Sequence, residues 1–381
     1  MRSAADDSDL IKASPQVASP PEPTQQHDAA AFGAAYAELF AQCAAPAFYA
    51  HPDWFRNLSE TCLSDDEHAA VFSVPDANGA VLAALPVKRH IASHLLPGAR
   101  AISALTNFYS CSFEALTRPG GDLAAACEEL VGAITTDPWR PDILQLDTLP
   151  REAPLFDALA AAIRGQGWPM RRYFHFGNWF EDVQGLSYDD YLARLPSRLR
   201  NTIVRKQRQL AKAYDVRVEI CQTPTELDTA MASYEAIYAE SWKTAEPFPD
   251  FTPGLARCAA ENGALRLGIC HLDGAPVAAQ IWLTYDGRST IFKLAYAERH
   301  RRLSLGTVLT ARMMRHALDV DRVVEVDFGR GDDGYKQDWL SQRRERWGIL
   351  ACNPRRLRGL AVAARHLLGP ALKDLLHRLP R

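Results

Sequence analysis

The segment VVEVDFGRGDDGYKQDW, residues 323–339, gathers carboxylates, a phenol and an amine into one strand and the turn after it. Side chains alternate faces along a strand, so Val324, Val326 and Phe328 share one face and Val323, Glu325 and Asp327 the other. Two carboxylates near a strand end are costly to bury unpaired, so they meet cations or face a wet cleft. Gly329 and Gly331 allow a tight path that turns the chain back over such a cleft, bringing Tyr335 and Lys336 to it. An ion pair of Asp327 with Arg330 or Lys336, purely structural, accounts for the same residues.

Just upstream, RHRRLSLGT (299–307) lies between a strand and a helix. Amides at a helix start, its partial positive charge and the cations Arg301 and Arg302 together suit a phosphate or pyrophosphate. The plainer reading is a helix start with Ser304 as N-cap and solvated arginines. The run RLRNTIVRKQRQLAK (198–212) reads as a basic helix with Leu199, Ile203, Gln207 and Leu210 along one face. Such helices are commonly solvated faces, but they can also contact phosphate or RNA. HIASH (90–94) has two histidines without a nearby Glu in strand-like sequence, so no metal site is expected. The chain contains no G-x-S-x-G or Walker A pattern, which removes the usual support for hydrolase and P-loop readings.

These residues need a frame. LRLGICH (265–271), PVAAQIWLTY (276–285) and STIFKLAY (289–296) are joined by Asp273-Gly274 and Asp286-Gly287, the strongest local hairpin signal, and so predict three sequential antiparallel strands. The helix VLTARMMRHALDV and the strand RVVEVDF follow. The first half echoes this order: AAVFSV (69–74) and AVLAALPVKR (80–89) form a hairpin, then come a strand within 99–110, a helix at 122–134 and a strand at 142–149. Both final strands carry an acid near their end, Asp147 and Asp327. Two copies of one α/β unit are therefore expected.

The 381 residues fit about two domains. With 47 % hydrophobic and 23 % charged residues, the composition is that of a globular protein. A net charge of −3 gives no whole-molecule attraction to nucleic acid, although residues 194–217 carry eight Arg/Lys against Asp215 alone. Eight cysteines without a C-x-x-C pair argue against a zinc ribbon, a redox motif or a disulfide framework. No secretory signal is evident, and no run approaches the roughly 18 apolar residues of a membrane helix, so a cytoplasmic protein is expected. Residues 1–30, rich in Ala, Ser and Pro, are expected to be a disordered leader. Residues 355–381 form a basic helical tail that docks on the protein or lies on an anionic membrane surface.

The order hairpin, strand, basic Gly loop, helix, strand resembles the core of the GNAT acyltransferase superfamily. YAERHRRLSLGTVLTARMMRHALD and VVEVDFGRGDDGYKQDW resemble the acetyltransferase-like group named after cellulose-biosynthesis proteins, itself similar to the tandem-domain FemABX peptidyltransferases. The resemblance is strongest over about 190–352 and extends to HPDWF and LTNFYS in the first half. It implies an α/β mixed-sheet fold of tandem GNAT-like domains, the first (31–180) degenerate and the second (181–354) catalytic.

Arg301, Arg302, Ser304, Leu305, Gly306 and Thr307 partly match the superfamily's Q/R-x-x-G-x-G/A pattern, with Ser304 at the first glycine position. This implies acetyl-CoA or another acyl-CoA as co-substrate and no metal. Under that resemblance Asp327 or Glu325 takes the proton of an attacking amine, and an amide near Tyr296 polarises the acyl carbonyl. Lys336 stabilises the oxyanion or a substrate anion, and Tyr335 protonates the leaving thiolate. Gln280, Trp282, Lys293 and Arg330 are the substrate-binding candidates. The expected reaction is N-acylation of a small-molecule, amino-acid or sugar amine by a monomer. An aminoacyl-tRNA-dependent transferase and a non-catalytic scaffold are the alternatives.

Overall fold

The computed structural model describes residues 24–27, 32–43 and 47–368. The first half contributes strands β1 (Thr24–His27), β2 (His68–Pro75), β3 (Val81–Ile91), β4 (Arg100–Ala104), β5 (Leu116–Thr117) and β6 (Ile143–Pro150). The second contributes β7 (Met170–Asp182), β8 (Val216–Cys221), β9 (Leu265–Leu272), β10 (Ala275–Tyr285), β11 (Arg288–Tyr296), β12 (Glu325–Asp327) and β13 (Gln342–Cys352). Of the expected leader, Thr24–His27 pairs with β2, and the remainder lies outside the described residues.

All strands join one mixed sheet in the order β1-β2-β3-β4-β6-β13-β7-β12-β11-β10-β9-β8, with β5 beside β3. The repeat anticipated in the sequence is visible in it. Each half has an antiparallel set followed by an inner parallel strand, β6 beside β4 and β12 beside β11. Each half then sends its next strand across. β7 pairs with β12 of the second half, β13 pairs with β6 of the first, and β7 and β13 pair with each other. The exchange fuses two α/β units into one sheet, and β7 spans the expected boundary at 180.

Local chemistry explains the best-predicted part. The β9–β10 turn places Asp273 at φ 50° and Gly274 at φ 82°, and the β10–β11 turn places Asp286 at 46° and Gly287 at 74°. Two successive positive φ values are what a two-residue hairpin turn matching the strand twist requires.

The sheet separates two main cores. Ala279, Ile281 and Leu283 of β10 pack into the first, with helices Pro224–Ala239 and Phe251–Glu261. Ala278 and Trp282 face the second, beneath helix Leu305–Arg315. The tail begins as helix Leu357–Ala363, with Gly359 and Val362 buried, and Arg356 Nε donates to Asp142 at 2.5 Å. Gly369-Pro370 and the segment after it lie outside the described residues. No helix among the described residues is long and apolar enough to cross a membrane.

Candidate active site

The alternation predicted for β12 holds, but its acids are engaged. Asp327 accepts from Asn178 Nδ2 at 2.7 Å, from the Gly329 amide at 2.5 Å and from Arg344 Nη2 at 2.5 Å. Glu325 accepts from both terminal nitrogens of Arg344, at 3.0 and 2.8 Å. Burial would lower the Arg344 pKa, but Asp327 and Glu325 more than offset it and hold the guanidinium above its ordinary value. The two carboxylates are thus pinned by a cation from β13 and an amide side chain from β7. This corrects their expected role as proton acceptors, because Asp327 is 7 % exposed and three donors converge on its two oxygens. The ion pair allowed by the sequence exists with a different partner, Arg344 instead of Arg330 or Lys336.

Lys336 is also tied down. It is 4 % exposed, and its Nζ donates to the carbonyls of Arg330 at 2.6 Å and Gly331 at 3.3 Å, with Asp333 Oδ2 at 3.1 Å. It cross-braces the turn, which needs the positive φ of Gly329 (62°) and Gly331 (104°).

A cavity opens where β11 and β12 part. They pair only from Arg288 to Thr290 and from Glu325 to Asp327. Beyond Asp327 the chain stays with β7, through Phe328 N to Trp179 O at 3.0 Å and Gly331 N to Gly177 O at 3.2 Å. β11 continues along β10 but with a bulge, since Ile281 faces Lys293 while Trp282 faces Ile291, leaving Phe292 out of register. A bulge bends its strand and re-aims the side chains beside it. The resulting cavity of about 410 Å³ is lined by Tyr109, Lys243, Lys293, Arg330, Tyr335 and Lys336, among others. Of the expected site residues, the structure brings together Lys293, Arg330, Tyr335 and Lys336.

Two groups escaped the sequence analysis: Lys243 in the wall of this cavity, and Glu246 next to it, bonded to its Lys293 and Tyr109. Glu246 accepts from Lys293, from Tyr109 Oη at 2.5 Å and from Tyr238 Oη at 2.5 Å. Burial would raise its pKa, but these hydrogen bonds hold it below the usual carboxylate range. Lys243 makes no salt bridge among the described residues, and burial together with the neighbouring Lys293 charge lowers its pKa to about 8. Both sit in ESWKTAEPFPD (240–250), a stretch with neither periodicity nor a motif to mark it. Partial burial and Asp333 push the half-exposed Tyr335 up to about 12.

The loop at 299–307 leads into helix Leu305–Arg315. Arg301 and Arg302 are exposed. Ser304 adopts the left-handed conformation (φ 58°, ψ 40°) and makes no side-chain capping bond. The amides of Leu305, Gly306 and Thr307 open the helix and have no intrahelical acceptor. Lys206 of the basic helix Ser197–Ala213 donates to the Arg302 carbonyl at 2.8 Å.

Gln280 and Trp282 support this loop from beneath. Gln280 Nε2 donates to Thr310 Oγ1 at 2.7 Å and to the Gly306 carbonyl at 3.2 Å, and Trp282 Nε1 donates to Gln280 Oε1 at 2.8 Å. Each is 1 % exposed, because β10 alternation directs both under the helix, so their expected contact with substrate is corrected to a positioning role. Tyr296 packs its ring on Trp242 with centroids 4.4 Å apart, and the irregular backbone lies earlier, at Phe292. Among the described residues no group of three or more His, Cys, Asp or Glu could hold a metal ion.

Residues 197–337 match the family model described as acetyltransferase (GNAT) domain. The match covers the basic helix, the loop at 299–307 and the parting strands, and stops short of the exchanged strand β13. No curated protein matches the sequence. Among solved structures, FemX is similar with a TM-score of 0.60 at 10 % identity, covering 89 % of this chain and 100 % of FemX. The C-terminal domain of a protein assigned as a lysylphosphatidylglycerol synthetase from Agrobacterium fabrum is similar with a TM-score of 0.52 at 12 % identity, covering 88 % of this chain and 95 % of that one. Residues 197–337 thus match a GNAT domain, and the described chain has a fold like that of FemX.

Proposed function

We propose that the chain is an N-acyltransferase that moves an acyl group from acetyl-CoA or another acyl-CoA onto the amine of a small molecule, amino acid or sugar. The observation that carries this reading is Lys243, a lysine with its pKa lowered to about 8 in the cavity where β11 and β12 part. An attacking amine must lose a proton, and a base is most effective with a pKa near the working pH. Lys243 takes that proton and returns it to the leaving thiolate, whose conjugate thiol has an ordinary pKa of about 8.5. Tyr335, pushed up to about 12, holds its proton more tightly than such a thiol and serves as a hydrogen-bond donor instead. The backbone at the Phe292 bulge, out of register with β10, is placed to polarise the acyl carbonyl. Arg301, Arg302 and the amides of Leu305, Gly306 and Thr307 fit the donor's phosphates.

Calorimetry with acetyl-CoA, followed by turnover with a panel of amines, tests the proposal. Binding that weakens in Arg301→Ala/Arg302→Ala, with turnover that falls in Lys243→Met, supports it. Wild-type turnover by Lys243→Met would remove Lys243 as the base.

A second reading, an aminoacyl-tRNA donor, draws on one further observation. Arg200, Arg205, Arg208 and Lys212 line an open groove along the basic helix, beside the loop that Lys206 touches. Single-stranded nucleic acid contacting four such cations would lose affinity with salt at a log–log slope of roughly −3. Absence of CoA binding together with that slope for tRNA would favour this donor.

A further inference from the structure

A second cavity, of about 350 Å³, lies between the two halves. Phe48, Tyr49 and Glu114 line it from the first half, and Leu283, Arg288 and Thr290 from the second. Most of its charged wall is already paired: Arg344 with Glu325 and Asp327, and Arg346 with Glu152. Two charged groups are not. The Arg288 guanidinium and the Glu114 carboxylate have no hydrogen bond or ion pair among the described residues, including with each other. The Tyr49 hydroxyl, in a residue only 6 % exposed, has no well-formed hydrogen bond, with Thr290 and Cys111 as nearby polar groups. Buried polar groups are ordinarily well satisfied, so an under-satisfied buried phenol in a cavity that also holds an unpaired cation and an unpaired anion implies a missing ligand.

The unpaired groups define its chemistry. Arg288 and Tyr49 offer donors suited to a carboxylate, whereas Glu114 offers an acceptor suited to an ammonium. A simple anion would be repelled by Glu114, and a simple amine by Arg288. Between them stand apolar surfaces, including Phe48, Leu155 and Leu283. We propose that this cavity binds a small zwitterion with an apolar body, an apolar amino acid. Its carboxylate sits on Arg288 and the Tyr49 hydroxyl, and its ammonium on Glu114. The volume falls in the range of small-ligand sites, about 300–1,000 Å³. The site is separate from the Lys243 cavity, with which it shares Cys111 as a wall, and it does not depend on the acyl-transfer reading.

Calorimetry on the full chain with L-phenylalanine, 3-phenylpropionate and phenethylamine tests the assignment. L-Phenylalanine is expected to bind at least about tenfold more tightly than either half-molecule. Arg288→Met should weaken L-phenylalanine and 3-phenylpropionate alike while sparing phenethylamine, and Glu114→Gln should do the reverse. Tyr49→Phe removes only the hydroxyl and should weaken carboxylate binding, which keeps the test open if Arg288→Met does not fold. Lys243→Met should bind L-phenylalanine as the wild type does. Equal affinity for the amino acid and either half, binding that survives Arg288→Met and Glu114→Gln, loss of binding in Lys243→Met, or no binding at all would each overturn the proposal.

Discussion

The two halves solve the start of their equivalent helices in opposite ways. In the first half, helix Leu123–Thr136 is capped by Asp122, whose Oδ1 accepts from the amides of Ala124 at 2.9 Å and Ala125 at 3.0 Å. The chain's own carboxylate thus occupies the place where an external anion would bind. In the second half, Ser304 is turned into the left-handed region, makes no side-chain cap and follows the exposed Arg301 and Arg302. The inner-strand acids, by contrast, are anchors in both halves: Asp147 holds Tyr173 and Gln145, and Asp327 holds Arg344 and Asn178. What distinguishes the second half is therefore the open helix start and the Lys243–Lys293–Glu246 cluster, not the acids that the repeat makes conspicuous.

The largest expected effect tests where the chemistry lies. Lys243→Met should lower turnover about 10²- to 10⁴-fold, the usual contribution of a positioned base. Tyr173→Phe, at the matching anchor of the first half, should leave it within a few-fold. The pH profile sharpens the point. Burial and Lys293 lower the Lys243 pKa, so the neutral, active form is lost as pH falls below about 8 and dominates above it. In the wild type kcat/KM should rise toward pH 8 and then level, and Lys243→Met should lack that limb. A profile identical in both proteins would break the assignment.

Next come the anchors. Arg344 has a side-chain exposure of 18 % and Asp327 of 9 %, so Asp327→Asn takes one charge from a largely buried pair. Glu325 still pairs with Arg344, so the expected cost is about 1.5–3 kcal/mol in urea unfolding, that of a lost charge-assisted bond. Asp147→Asn loses neutral donors only, and about 1–2 kcal/mol is expected. Lys336→Met strands two backbone carbonyls, for roughly 1–3 kcal/mol. A stable but inactive Lys336→Met variant would restore Lys336 to the chemistry and contradict its bracing role. Equal costs for the two aspartates would mean that Arg344 contributes little.

The pattern of these effects follows what could be seen in the sequence. The Asp-Gly turns, the period-two strands β9 to β11 and the repeat were legible because each is specified by neighbours in the chain. The alternation in β12 put Glu325 and Asp327 on one face, as observed. Their partners were not legible, since Asn178 and Arg344 arrive on β7 and β13, the exchanged strands, and long-range pairing leaves no local signature. Lys243 was invisible for another reason. Its lowered pKa comes from burial and from Lys293, fifty positions away, whereas its own surroundings in the chain read as an ordinary polar loop.

The smallest expected effects bear directly on the contrast between the helix starts. Ser304 sits at φ 58°, where a side chain is strained by about 1–2 kcal/mol and glycine is not. Ser304→Gly should therefore gain stability, reduced to about 1 kcal/mol or less by the extra entropy glycine gives the unfolded chain. It should leave donor binding intact, because only backbone amides and the arginines hold the phosphates. Ser304→Asp instead imitates Asp122 of the first half, placing a carboxylate beside the amides of Gly306 and Thr307. An acid at that position should plug the anion site and weaken acetyl-CoA about tenfold or more, since it both fills the donors and repels the phosphates. If Ser304→Asp binds acetyl-CoA as tightly as Ser304→Gly, the open helix start does not hold the donor. The phosphates must then lie on the basic groove of helix Ser197–Ala213 instead.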